Sequence, residues 1–175
     1  MSESYKIKED GLYFVTFSVV GWLDVFTRRI YQDELCESIS FCQKNKGLRL
    51  YGYCIMPNHV HLLAYSENQN LSGILQSLKS YTAKQIIAAI RDNFQESRKE
   101  LFLHQFEYFG RKKKQGHLQF WKHDNHPFYL YSNAMIEQKL NYIHMNPVEA
   151  GFVDHPENWR LSSANPDSPI FTEAM

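Results

Sequence analysis

The sequence predicts an α+β fold, and three observations carry that prediction. Residues 11–20, 48–56 and 59–66 are dense in β-branched and aromatic side chains at strand length. Two longer stretches, 31–47 and 70–94, space their apolar residues three and four apart, as an amphipathic helix does. Between the second and third strand-like stretches lies Pro57-Asn58, a turn-forming pair that joins them as a hairpin.

Taken in order, "GLYFVTFSVV" (11–20) reads as the first strand. "YQDELCESISFCQKNKG" follows as a helix with Leu35, Ile39 and Cys42 on one face and Gly47 as its C-terminal stop. "LRLYGYCIM" and "HVHLLAYS" form the hairpin. "NLSGILQSLKSYTAKQIIAAIRDNF" carries apolar residues at 71, 74, 75, 78, 86, 89 and 90, the pattern of a long amphipathic helix. Residues 97–117 read as irregular and basic, "HLQFWK" as a short strand, and "HDNHP" as a turn. A last helix covers 133–146 and stops near Pro147, because the residue before a proline is pushed out of helical geometry. No internal repeat or low-complexity linker interrupts the chain, so its 175 residues are expected to form one domain with a core over about 10–163.

Composition narrows the setting. No apolar run approaches the roughly 20 residues that span a bilayer, and "MSESYKIKED" has no apolar core of a signal peptide. Cys36, Cys42 and Cys54 are odd in number and lack CxxC spacing, which fits reduced thiols in a cytoplasmic protein. The formal net charge is zero but unevenly spread. Residues 71–125 hold 10 Lys and Arg against 5 Asp and Glu, while 126–175 hold 2 against 6. A neutral total therefore leaves room for a polyanionic partner on the basic middle segment.

"IMPNHVHLL" is the most unusual stretch. In a strand, His59 and His61 share a face about 6.6 Å apart, so both rings can lean onto one cation, while Val60 and Leu62 face a core. Two half-exposed histidines on a solvent face would give the same pattern, and a catalytic metal needs a third ligand besides. On the last helix, Ile136, Leu140 and Ile143 make the core stripe, and Tyr142 and Asn146 are i,i+4 partners beside it. A phenol and an amide oxygen are thus presented together; a packed tyrosine and a helix-closing asparagine would look the same.

Four segments in this order, "IMPNHVHLL", "LSGILQSLKSYTAKQI", "FWKHDNHP" and "KLNYIHMNPVEAGFV", together with "ENWRLSS", resemble the HUH-type single-strand tyrosine transposases, most closely the REP-associated tyrosine transposases. The resemblance covers about residues 10–163. It implies a ferredoxin-like βαββαβ antiparallel sheet with helices on one face and a C-terminal helix carrying the catalytic tyrosine. It implies that His59 and His61 are metal ligands with Asn146 as the third, where many insertion-sequence relatives have glutamine, and that Tyr142 is the nucleophile. Monomeric and homodimeric forms both occur among such relatives, so that choice stays open.

The implied chemistry is attack of the tyrosine oxygen on a DNA phosphodiester, leaving a free 3′-OH and a 5′-phosphotyrosine. The implied substrate is single-stranded DNA, with a hairpin, and the implied cofactor is Mg²⁺ or Mn²⁺. Imidazole favours the softer ion. Lys79, Lys84 and Arg91, with Arg111, Lys112, Lys113 and Lys114, are candidates to follow a phosphate backbone, and Tyr81 to stack on a base. A solvated basic loop and a packed tyrosine are the plain alternatives. His123 and His126 form an HxxH that reads as a structural turn, and His144 is given no role. Two other functions remain: a transposase-derived hairpin-binding protein that does not transpose, and a metallohydrolase that leaves Tyr142 idle.

Overall fold

Alternation along the strands decides the architecture. In the computed structural model, which describes residues 7, 11–112, 118–125 and 127–174 (Lys112 as backbone only), β1 spans Tyr13–Ser18. Its Tyr13, Val15 and Phe17 are at most 2% exposed and join the main core, whereas Phe14 packs with a second, smaller cluster on the opposite side. β3 (His59–Ser66) repeats the division: Val60, Leu62 and Ala64 enter the main core and Leu63 the smaller cluster. β2 (Leu48–Ile55) changes parity along its length. Leu50 and Tyr53 both belong to the main core, because the β2–β3 register shifts between Leu50 and Gly52 and the extra residue turns the strand over.

With a short fourth strand, β4 (Phe128–Tyr129), they pair antiparallel in the order β2-β3-β1-β4, the ferredoxin-like order that the sequence resemblance implied. Against the main-core face lie α1 (Arg29–Lys46) and α2 (Leu71–Asp92). Gly47 ends α1 in the left-handed region at φ 72°, where a side chain would be strained, so the expected stop is realised. α4 (Asn133–Glu149) covers the other face, over β2 and β3, with Ile143 fully buried and Ile136 and Leu140 packed beside it. The Ser132 side chain caps α4 by accepting the Met135 N–H. A Cβ on Gly52 would run into the Leu140 side chain, so the glycine lets α4 lie close to the sheet.

Four expectations need correction. Residues 99–112 are not irregular but a helix, α3 (Lys99–Lys112), because Phe102 and Phe106 repeat at helical spacing and are buried together. The described residues of "HLQFWK" (118–122) are not a strand; they contribute a single bridge, Trp121 to Val19, and Trp121 is held by Thr82. The fourth strand is instead β4, Phe128–Tyr129, directly after the turn and paired with Phe14 and Tyr13. Finally, α4 does not stop at Pro147 but runs to Glu149. A proline so near the helix end forfeits only the bond to the Ile143 carbonyl, and its ring is buried.

Candidate active site on the α4 face of the sheet

The strand register builds the site. Thr16 of β1 stands directly opposite His61 and Ser18 opposite His59, all on the α4 face. From there Thr16 Oγ1 bonds His61 Nδ1 at 2.9 Å. His61 Nε2 is then buried with no hydrogen-bond partner. His59 lies beside it, with ring centroids 4.7 Å apart, and its Nδ1 meets Asn58 Oδ1 at 2.6 Å. Asn146, one turn from the end of α4, lies near enough to the same His59 ring for its amide to favour the protonated imidazole.

Tyr142 comes to this pair from above. Its ring lies 5.4 Å from that of His61 and 5.9 Å from Phe14, edge-on to both, and 42% of its surface stays open. Strand and helix therefore bring His59, His61, Tyr142 and Asn146 together within a single chain. That spacing puts a phenol next to two imidazoles while leaving a side open to a substrate.

Electrostatics keep the imidazoles neutral. Burial pushes His61 down to about 3, with the His59 ring and the Lys139 ammonium adding to the effect. His59 is also lowered by burial, opposed by the Asn146 amide and helped by Lys122. Neutral imidazoles are what a metal ligand requires, and a nitrogen fixed by a hydrogen bond on its far side is the usual orienting device. The orphaned His61 Nε2 fits a divalent cation, which would satisfy the one buried side-chain polar atom left without a partner among the described residues. No three His, Cys, Asp or Glu side chains cluster as a metal site among those residues.

Other sequence candidates lie elsewhere. Lys79 extends from α2 to the carbonyls of Lys122 and His123 and to Asn125 Oδ1, and burial lowers it to about 8. Lys84 and Arg91 are exposed on α2, whose buried side packs on the opposite face of the sheet. Tyr81 is 54% exposed and lines a cleft with Glu34, Glu37 and Phe41 of α1. Arg111 pairs with Glu107 on α3. The Lys112 side chain, Lys113, Lys114 and His126 lie outside the described residues. His144 bonds Ser163 at 2.9 Å, away from the histidine pair.

Sequence reading missed the residues that frame the pair. Lys122 Nζ sits 3.6 Å over the ring of Trp22, which meets the His59 ring at 6.1 Å. Lys139 Nζ lies 4.8 Å over Phe14 and 5.6 Å over Tyr142. Both had a signal. Lys122 follows the buried Trp121 in an extended segment, so it points to the other face. Lys139 is three residues before Tyr142 and thus on the same side of α4.

Known proteins share the family and the fold. Residues 16–123 match the model of the family described as "Transposase IS200 like". The solved structure of a REP-associated tyrosine transposase bound to a REP hairpin superposes with a TM-score of 0.64. It is 18% identical, over 93% of this chain and 82% of the other. A putative transposase from Deinococcus radiodurans is also similar, at 19% identity and a TM-score of 0.46, over 82% of this chain and 94% of that one. Nothing among curated proteins matches.

Proposed function

The chain belongs to the IS200-like transposases, and from that membership we propose that it cuts and rejoins single-stranded DNA through a covalent phosphotyrosine. One observation supports the reading above others: Tyr142 of α4 lies against the His61 ring, beside His59, in one chain. A DNA binder alone needs none of them.

Tyr142 is the nucleophile. Its phenolic oxygen forms a bond to the scissile phosphorus as the P–O3′ bond breaks. The phenol gives up its proton and the departing 3′ oxygen gains one, leaving a 3′-OH and a 5′-phosphotyrosine. One phosphoester replaces another, so rejoining to a second 3′-OH needs no ATP. The proposed metal ligands are His59, His61 and Asn146; a Mg²⁺ or Mn²⁺ ion there supplies Lewis-acid polarisation of the phosphate. Thr16 engages His61 through Nδ1 and so leaves Nε2 as the free ring nitrogen. Phe14 fixes the height of the Tyr142 ring above the sheet.

A hairpin next to the cut is proposed because the motifs resemble the REP-associated branch and because the relative of like fold is bound to a REP hairpin. Its paired stem would be met by the basic middle segment: Lys84, Arg91, Arg111 and Lys112–Lys114, with Tyr81 at an unpaired base and Lys79 holding the adjoining loop. The reading places the enzyme in the cytoplasm, where the buried thiols Cys36, Cys42 and Cys54 stay reduced. No helix among the described residues is long and apolar enough to cross a membrane.

Tyr142→Phe tests the reading. It removes one oxygen and costs a packing tyrosine little beyond a hydrogen bond of ~1 kcal/mol. With a 3′-labelled hairpin and Mn²⁺, wild type should retain label on a denaturing gel and the variant none, at nearly unchanged Tm. Equal adduct from both would mean that another residue attacks. Cleavage without any adduct would favour a metallohydrolase, and binding without cleavage a hairpin-binding protein. Mixing Tyr142→Phe with His61→Ala should restore no adduct, since each site is built within one chain; restored adduct would mean that α4 acts on a partner.

A further inference from the structure

The histidine pair is bracketed by two lysines that no carboxylate neutralises among the described residues. Lys122 stands at the His59 end, its ammonium 3.6 Å over the Trp22 ring. Lys139 stands at the His61 end, 4.8 Å over Phe14 and 5.2 Å over Phe128. Trp22 meets the His59 ring at 6.1 Å and Phe14 the His61 ring at 5.3 Å, so each lysine is fixed beside one imidazole. They therefore sit at opposite ends of the site along β3.

How each lysine is held is informative. A salt bridge would fix the ammonium and cancel its charge. An aromatic face fixes it by cation–π attraction and leaves the full positive charge available. Both ammoniums thus remain charged beside the histidine pair. They form a cradle for a chain of negative charges that passes over the histidines, and a phosphodiester backbone supplies such a chain. Trp22, which is 57% exposed, adds an apolar surface at one end.

We propose that Lys122 and Lys139 are positioning residues that hold the phosphates on either side of the scissile one, so that an unpaired DNA strand crosses the site from Trp22 to Phe128. This rests on the single-strand reading above but concerns binding, not the nucleophile. The two cations set the path of the strand, and with it which phosphate faces Tyr142.

The test uses the full chain, poly(dT) as probe, fluorescence anisotropy in EDTA, and a series of salt concentrations. Each neutralised single-strand phosphate contributes roughly 0.7 to the slope of log affinity against log salt. Lys122→Ala and Lys139→Ala should each reduce the slope by about that much, and the double variant by about twice as much. Arginine at either position should restore it, which a purely structural role would not require. Lys44→Ala, exposed on α1 at the far face, should leave it unchanged. An unchanged slope in the double variant overturns the clamp, as does wild-type protein that fails to retain poly(dT) at low salt. Because no cleavage is needed, an absent phosphotyrosine would count against the catalytic reading alone. Normal adduct with unchanged slopes would count against the clamp alone.

Discussion

The two faces of the sheet use the same strands for opposite ends. Toward α1 and α2, Val15, Phe17, Val60, Leu62 and Ala64 are almost wholly buried among apolar neighbours. Toward α4, the intervening residues Thr16, Ser18, His59 and His61 are polar, and only a small cluster around Leu63, Cys54 and Ile143 packs beside them. One face carries the burial that holds the chain folded, so the other can keep an orphaned imidazole nitrogen and an open tyrosine. The strand period of two makes this division possible, since alternate residues answer to different neighbours.

Mutations should separate the faces, and the largest effect belongs to the α4 face. His61→Ala should abolish adduct formation in Mg²⁺ and Mn²⁺ while the folded state loses no more than about 2 kcal/mol, within the range of ordinary single substitutions. Adduct at the wild-type level would remove His61 from the site. Its strand neighbour Leu62→Ala should do the reverse. A cost of about 2–5 kcal/mol in chemical denaturation is expected, with the cleavage rate per folded molecule preserved. A folded Leu62→Ala protein with lost activity would mean that the two faces are coupled.

A smaller effect is expected where the hydrogen bond alone is cut. Thr16→Val removes the partner of His61 Nδ1 but keeps the side-chain shape, so Mn²⁺ affinity should fall about 10- to 100-fold, as for other orienting contacts. Calorimetric titration with Mn²⁺ measures it, and unchanged affinity would leave the ring orientation to packing. Smallest is Lys79→Met. Its ammonium ties α2 to the 122–125 loop, so a loss of about 1 kcal/mol in stability is expected. A stability equal to wild type would free Lys79 for a direct role with DNA.

Much of the fold was legible because its signals are local. The hairpin at Pro57-Asn58, the Gly47 stop and the two long helices lie where apolar spacing and turn chemistry put them. α3 was missed although Phe102, Leu103, Phe106 and Phe109 keep helical spacing, because the basic run beside them reads as loop. The end of α4 was misplaced because the proline rule concerns an isolated pair of residues, while a buried Pro147 also has packing in its favour. In the site, His59 and His61 stood out as a rare residue type repeated at the strand period. Lys122 and Lys139 did not, since lysine is common and neither occurs in a motif.

By itself, the sequence determined which residues share a face. Backbone sterics put His59 with His61, Tyr142 with Asn146, and Val60 with Leu62, whatever the rest of the chain does. Tertiary structure alone decided which of those faces meet. The pairing of Thr16 with His61, the approach of Tyr142 to the same ring, and the placement of Lys122 over Trp22 join residues far apart in the chain. They depend on strand register, on the bulge before Gly52, and on how closely α4 can lie on the sheet. Those are properties of packing between elements, and no local pattern encodes them.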